Sequence, residues 1–191
     1  MKRTNQNKAL TRTQPEQKAP RTASPAPSPQ NTKRGSLLAQ VLNNPAQLRD
    51  CAYAADKDFV LAAVTQRGRA LLYAAESLQA DEDIVLAAVT NFGCGLECAS
   101  KELQSNRQVV LAAVNNNGWA ISYASEELKS DRQVVLAAVR SDGSLLRMVS
   151  EEFRSDRQVV LTDVRNCGVG LEHASDELRS DHGIVLAAVN A

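Results

Sequence analysis

The sequence contains no long run of apolar residues. The longest uninterrupted runs, such as residues 109–114 and 70–75, are six residues long, whereas a helix that crosses a bilayer needs about 20 apolar residues. No segment has the apolar core of a signal peptide either. The sequence therefore predicts a protein with no transmembrane segment and no export signal.

The motifs of several catalytic and cofactor-binding classes are also missing. There is no phosphate-binding loop, no glycine-rich nucleotide fingerprint and no His-Glu-x-x-His metal motif. The four cysteines include no Cys-x-x-Cys pair, and in a chain without an export signal such cysteines are typical of reduced thiols. We therefore expect a cytoplasmic protein with no disulfide bonds and no cofactor.

The chain has no net charge, because 22 Lys and Arg residues balance 22 Asp and Glu residues. Residues 1–34 nevertheless hold eight basic residues and one acid, Glu16, whereas the rest of the chain holds 14 basic and 21 acidic residues. Five of the six prolines lie in this first segment, which has few apolar residues. It cannot bury enough surface to offset the entropy lost on ordering, so we predict a disordered tail. Only this tail could bind nucleic acid or an anionic surface. Its acid-poor, arginine-containing composition also leaves organelle targeting open as an alternative to the cytoplasm.

From residue 56 onward one phrase recurs with a period of 25 residues. Apolar segments of the form Val-Val-Leu-Ala-Ala-Val begin at residues 59, 84, 109, 134, 159 and 184. Such self-similarity at a fixed period predicts a stacked repeat architecture. A degenerate copy spans residues 35–55, where Ser36 and Gln40 replace apolar residues of the later copies, as expected for a solvent-facing cap.

Each copy carries the signals of two helices. Ser105 and Gln108 have the Ser-x-x-Gln spacing of a capping box before the apolar segment, as their equivalents do. They predict a first helix of about ten residues, which a glycine in left-handed conformation should end. A second helix then places Leu or Ile and Ala three residues apart on one face. The Ser-x-Glu-Leu stretch at Ser125 and its equivalents either continues this helix or restarts as a short turn capped by the serine, and the sequence leaves both alternatives open.

A strand interpretation of the valine-rich segments fails because they lack strict alternation and contain adjacent alanines. Two helices of ~15 Å cannot bury their apolar stripes alone, so neighbouring copies must supply the stability. The sequence predicts an all-α fold, an α-solenoid of about six and a half 25-residue two-helix repeats preceded by a disordered tail. Residues 1–34 form the tail, 35–55 the capping repeat and 56–191 the tandem array. We also expect an exposed, partly apolar C-terminal end that could support self-association.

The phrase is clearest in residues 109–131, VVLAAVNNNGWAISYASEELKSD. It closely resembles the tandem helical repeats grouped as the domain of unknown function 4116, over residues 56–191. The resemblance implies a helical fold in arrays that look like interaction modules, and it supplies no catalytic residues to carry over. Repeat five departs most from the phrase, with Thr162 and Asp163 in place of two alanines, and we expect its local packing to differ.

Residues for chemistry are best sought where one copy departs from the others. Cys94 and Cys98 lie four residues apart and could begin a zinc site, but His173 is three repeats away, about 30 Å at ~10 Å per layer. We therefore predict no metal site.

Repeat five also contains Asp163, Cys167 and His173, a conceivable nucleophile arrangement. A thiol-dependent enzyme or redox switch centred on Cys167 and His173 is accordingly the alternative function. We expect instead that Asp163 is a solvated or arginine-paired helix residue and that no residue is catalytic.

Trp119, the only tryptophan, occupies a repeat position that varies between copies and holds Arg69 two repeats earlier. This variability predicts partial exposure. A half-exposed tryptophan beside Asn117 could anchor a protein partner, while simple packing against the next repeat is the other interpretation. We predict a non-enzymatic scaffold for protein–protein interaction, with Arg69, Trp119 and Asn117 as candidate binding residues.

Overall fold

The computed structural model describes residues 29–191, and in this range every regular element is helical. The predicted disorder of residues 1–28 lies outside the described residues. Residues 29–34 instead belong to the first helix, α1 (Pro29–Asn43). This helix is anchored by Arg34, whose guanidinium lies 2.8 Å from Asp56 Oδ1 and over the Tyr53 and Phe59 rings.

Each repeat consists of a long α-helix, a 3₁₀-helix (η) and a single-turn α-helix. The long helices are α2 (Lys57–Gln66), α4 (Glu82–Asn91), α6 (Arg107–Asn116), α8 (Arg132–Ser141), α10 (Arg157–Asn166) and α12 (His182–Val189). The 3₁₀-helices are η1 (Pro45–Leu48), η2 (Gly68–Tyr73), η3 (Gly93–Cys98), η4 (Gly118–Tyr123), η5 (Leu146–Met148) and η6 (Gly168–His173). The short helices are α3 (Glu76–Gln79), α5 (Lys101–Gln104), α7 (Glu126–Lys129), α9 (Glu151–Arg154) and α11 (Asp176–Arg179).

Neighbouring repeats stack on one another in chain order. Each long helix packs on the next, from α1 through α12, and also contacts the 3₁₀-helices beside it. Valines at the second and last positions of the apolar segments fill the seams. Val110, Val114, Val135 and Val139 are fully buried. The prediction of an all-α solenoid is confirmed.

The second helix of each repeat differs from the expectation of one long α-helix. In the repeat that begins with α6, η4 ends at Tyr123, and the extended backbone of Ala124 (φ −69°, ψ 160°) interrupts the helix. Ser125 then caps α7 by accepting a hydrogen bond from the Leu128 N–H at 3.4 Å. Of the two alternatives the restart is therefore correct, because the serine side chain competes for backbone N–H groups that a continuous helix would use.

The long helices begin one residue later than the predicted capping box. Asp131, not Ser130, is the N-cap of α8, and its Oδ1 accepts hydrogen bonds from the N–H groups of Gln133 and Val134. Ser130 is the C-cap of the preceding α7. The capping-box prediction was wrong because Asp and Ser are adjacent, and the carboxylate is a strong acceptor at a helix N-terminus.

The glycines that follow the long helices serve close packing and not a left-handed turn. No glycine among the described residues has a positive φ. A Cβ atom on Gly93 would overlap the Ala113 carbonyl oxygen of the next repeat, and Gly68, Gly118 and Gly168 face the equivalent alanine carbonyls. The Gly93 N–H also donates to Asn116 Oδ1 of the next repeat at 2.7 Å. Glycine is required here because two backbones approach each other directly.

A ladder of charged side chains crosses the long helices. The first residue of a helix pairs with the N-cap aspartate of the next repeat, as Lys57 does with Asp81 at 2.7 Å and Arg132 with Asp156 at 2.7 Å. The hydrogen bond from Lys57 lowers the pKa of Asp81, and the one from Arg132 lowers the pKa of Asp156. These carboxylates therefore join the cap of one helix to the start of its neighbour.

One rung of the ladder has its charges replaced as a pair. Glu82 stands where the other rungs have a cation, and the facing N-cap is Asn106 in place of aspartate. The Asn106 amide donates to Glu82 Oε1 at 3.3 Å. An aspartate at this cap would face another carboxylate, so the two departures compensate each other.

The glycine contact can be tested with two neighbouring residues of η3. Gly93→Ala should lower the free energy of unfolding by about 1–3 kcal/mol, because the new methyl group meets a backbone carbonyl that cannot move aside. Gly95→Ala is the matched control, since its Cβ would lie 3.5 Å from Phe92 Cδ1, an ordinary contact. Urea denaturation of both variants should show loss of stability at position 93 and none at position 95. Equal effects would contradict the packing role of Gly93.

The compensated rung can be tested by a double-mutant cycle. Asn106→Asp alone should destabilise the fold through repulsion from Glu82, whereas Glu82→Arg together with Asn106→Asp should restore a regular rung. The favourable coupling energy should shrink in ~1 M NaCl, which screens exposed charges. A coupling energy of zero at low salt would show that the two residues do not interact.

Candidate functional site

The regular stack of 3₁₀-helices is interrupted between η4 and η5, and we call this interruption the break. Successive 3₁₀-helices otherwise pack together, but η4 and η5 make few contacts. Among the described residues, the Ser125 N–H donates to the Gln104 carbonyl at 3.0 Å, and equivalent links join the other repeats except at Ser150. Ser150 also makes no side-chain cap to α9. The break is therefore a local loss of contacts within a regular array.

The break begins at the loop of residues 143–145, between α8 and η5. Leu145 is fully buried at a repeat position where the other copies have alanine or glycine. Ser144 has φ 75°, a left-handed conformation that serine seldom adopts. The larger side chain and the altered backbone leave η5 with three residues, where the other complete repeats have six.

Asp163 of α10 supports this loop from the next repeat. It is fully buried, and its Oδ1 accepts a hydrogen bond from the Leu145 N–H at 3.0 Å. The other oxygen, Oδ2, has no hydrogen-bond partner and lies against Gly170, where any Cβ atom would overlap it. The expectation of a solvated or arginine-paired Asp163 was wrong, because the altered loop supplies backbone donors inside the core.

Burial raises the pKa of the Asp163 carboxyl, while the N–H groups of Leu145, Ser144 and Leu146 and the nearby imidazole of His173 act in the opposite direction. Removal from water thus disfavours the charged form of the carboxyl, and the backbone dipoles partly stabilise it.

Trp119 lies on the η4 side of the break. Its ring is half-buried, and the guanidinium of Arg147 from η5 lies 4.7 Å from the ring centroid. The side-chain oxygen of Asn117 accepts a hydrogen bond from the backbone N–H of Trp119 at 2.9 Å and so caps η4. Two of the predicted binding residues are therefore joined at the break.

A groove of about 250 Å³ lies at the break, between residues of η4 and η5. Its apolar walls are Ile121, Met148 and Val149, and its polar rim includes Lys129 and Glu126, which form an ion pair at 2.8 Å. Met148 is 42% exposed. Arg147 and Met148 were missed by the sequence interpretation, although the neighbouring Leu145 was a visible departure from the repeat.

The third predicted binding residue lies apart from this groove. Arg69 is exposed at the equivalent position of η2, two repeats before Trp119. No contact in the described part of the chain joins it to the break, and its role in binding stays a prediction.

The residues of the alternative function have separate partners. Cys167 lies between α10 and η6 with its β-carbon near Gly143, and the imidazole of His173 lies 3.2 Å from the Glu172 carboxylate. Within residues 29–191 no hydrogen bond joins Cys167 to His173.

Cys94 and Cys98 lie on η3, and burial followed by the charge of Glu97 raises the pKa of both thiols. The described residues contain no group of three or more His, Cys, Asp or Glu side chains placed to hold a metal ion. Within the same part of the chain, no helix combines the length and apolar character needed to cross a bilayer.

The stacked helices and the groove together define a helical repeat protein with one irregular position in its array. The chain belongs to the family described as domain of unknown function (DUF4116), whose model matches three times in tandem, at residues 56–104, 106–154 and 156–190. Each full match covers two of the 25-residue repeats. No curated protein and no solved structure matches the chain.

The buried carboxyl group of Asp163 should make the stability of the fold depend on pH. Because the pKa of Asp163 is higher in the folded chain than in the unfolded chain, its contribution to stability is present at low pH and is lost as pH rises through the folded value. Relative to Asp163→Asn, the wild type should therefore lose stability as pH rises above ~4, the ordinary pKa of an aspartate, by about 1.4 kcal/mol for each unit of pKa difference. Urea denaturation of both proteins at a series of pH values measures the difference. A difference that is constant with pH would contradict the assignment.

Proposed function

We propose that this protein is a non-enzymatic helical-repeat scaffold that binds a partner protein at the break. The observation that carries the proposal is the groove between η4 and η5, whose lining includes exposed Met148, the residue that follows Arg147 in the chain. Arg147 in turn lies over the ring of Trp119. The equivalent seam one repeat earlier also holds a groove, but Tyr123 stands there in place of Met148. The exposed methionine and the missing backbone link at Ser150 distinguish the break from the rest of the array.

The chemistry of the groove fits a protein segment. Methionine, which lines the groove, adapts to irregular apolar partners. The Trp119–Arg147 pair lies outside the groove's lining and offers two residue types that often dominate binding energy at protein interfaces. The volume of about 250 Å³ is below the range typical of pockets that enclose small molecules. It suits one or two apolar side chains of an extended segment, with Lys129 and Glu126 at the rim to pair with its polar groups.

The enzyme alternative has less support. A nucleophilic cysteine needs a base within hydrogen-bond reach, and the contacts of His173 lie with Glu172. We therefore propose that the protein acts by binding and not by catalysis.

Other partners and the compartment remain proposals with separate support. Binding of nucleic acid or an anionic surface through residues 1–34 concerns the tail, most of which lies outside the described residues. Self-association through α12 is supported by exposed Leu186 and Val189. A cytoplasmic compartment is supported by four free cysteines.

Met148→Glu tests the groove directly. The new carboxylate would have to lose water on binding, so a partner that inserts an apolar side chain should be lost. Val169→Glu is the matched control, because Val169 is 65% exposed on η6 and lies outside the groove. The measurement is co-purification of the tagged protein from its native cells, with quantitative mass spectrometry of what is bound.

The expected result is a partner that is retained by Val169→Glu and depleted at least tenfold by Met148→Glu, about 1.4 kcal/mol or more of binding free energy. Circular dichroism must show that both variants are folded. Retention of every partner by Met148→Glu, or equal loss with both variants, would contradict binding at this groove.

A further inference from the structure

Asp163 stands out among the equivalent positions of the array. The other 25-residue repeats have an alanine there, and Ala113 and Ala138 are fully buried. A charged residue in such a position is destabilising unless something in the core compensates it. The compensation lies in the preceding repeat, in the loop that carries Leu145.

Three departures from the repeat meet at this point. Ser144 takes a left-handed backbone conformation, and the adjacent Leu145 N–H points at Asp163 Oδ1, 3.0 Å away. Successive backbone N–H groups in such a conformation form a concave anion-binding nest. Gly170 leaves room for Oδ2, which has no hydrogen-bond partner. The carboxylate is thus enclosed as a bound anion would be.

We propose that the backbone of residues 144–146 is a carboxylate-binding site that the chain fills with its own Asp163, and that this internal ligand holds the break open. The inference does not depend on the proposed function, because it concerns the shape of the loop and not what binds at the groove.

The Asp163 carboxylate is the acceptor for a buried N–H group of the loop. Without the carboxylate, the buried Leu145 N–H has no acceptor, and an unpaired buried donor is costly. The unfavourable left-handed backbone of Ser144 is then no longer offset by the hydrogen bond between its neighbour and the carboxylate. The loop should move toward the regular 3₁₀ path of the other repeats, which displaces Arg147 from the ring of Trp119. The imidazole of His173 on η6 acts electrostatically on the Asp163 carboxyl and is itself paired with Glu172.

Asp163→Ala with added formate tests the site. Alanine matches the residue of the other repeats and leaves a space of about the size of a carboxylate group. In chloride buffer the variant should unfold at least ~2–4 °C below the wild type, the shift expected for one buried hydrogen bond in a chain of this size. The emission maximum of Trp119, the only tryptophan, should shift as Arg147 leaves it. Sodium formate should reverse both changes saturably, compared with sodium chloride at equal ionic strength.

Two further variants keep the test decisive. Asp142→Ala removes a carboxylate from the same loop region and should show no dependence on formate. Asp163→Asn retains an acceptor oxygen and should keep the emission of the wild type. If Asp163→Ala is unfolded in chloride, recovery of its helical circular dichroism in formate supports the proposal.

The combination Leu145→Ala with Asp163→Ala restores the regular residues at both positions. It should fold without formate and show the shifted Trp119 emission, because the loop can then follow the 3₁₀ path. The proposal is overturned if Asp163→Ala matches the wild type in both readouts, or if formate does no more than chloride.

Discussion

The fold depends on the direct approach of two backbones between adjacent repeats. A glycine at the start of each regular 3₁₀-helix lies against an alanine carbonyl of the next long helix, as Gly93 does with Ala113. This contact fixes how closely the repeats stack, and the valine columns then fill the remaining seam. Because the regular repeats share this contact, stability is distributed among neighbours and no central core is needed.

The polar side chains follow the same neighbour-to-neighbour logic. The N-cap aspartates satisfy the first backbone N–H groups of their own helix and pair with a cation of the preceding repeat, as Asp131 does with Arg107 at 3.0 Å. One carboxylate thus both begins a helix and links two repeats. Exposed pairs of this kind add little stability individually, but their register allows only one alignment of the helices.

The break shows how a regular array acquires a distinct site. A leucine in place of a small residue and an aspartate in place of an alanine are each unfavourable in the regular packing. Together they stabilise another loop path, in which Asp163 accepts the Leu145 N–H. This path shortens η5, removes the backbone link at Ser150 and leaves Met148 exposed at the groove.

The sequence alone determined the class of fold, because a 25-residue period of apolar residues has only neighbouring copies against which to bury itself. It also singled out Trp119 and Asn117 as candidate binding residues. Only the tertiary structure decided that the glycines serve close approach, that Asp131 and not Ser130 caps α8, and that Asp163 is buried. Periodicity reports which residues share a face along the chain. The partner of a side chain such as Asp163 lies in another repeat, and its identity depends on a backbone path that periodicity does not encode.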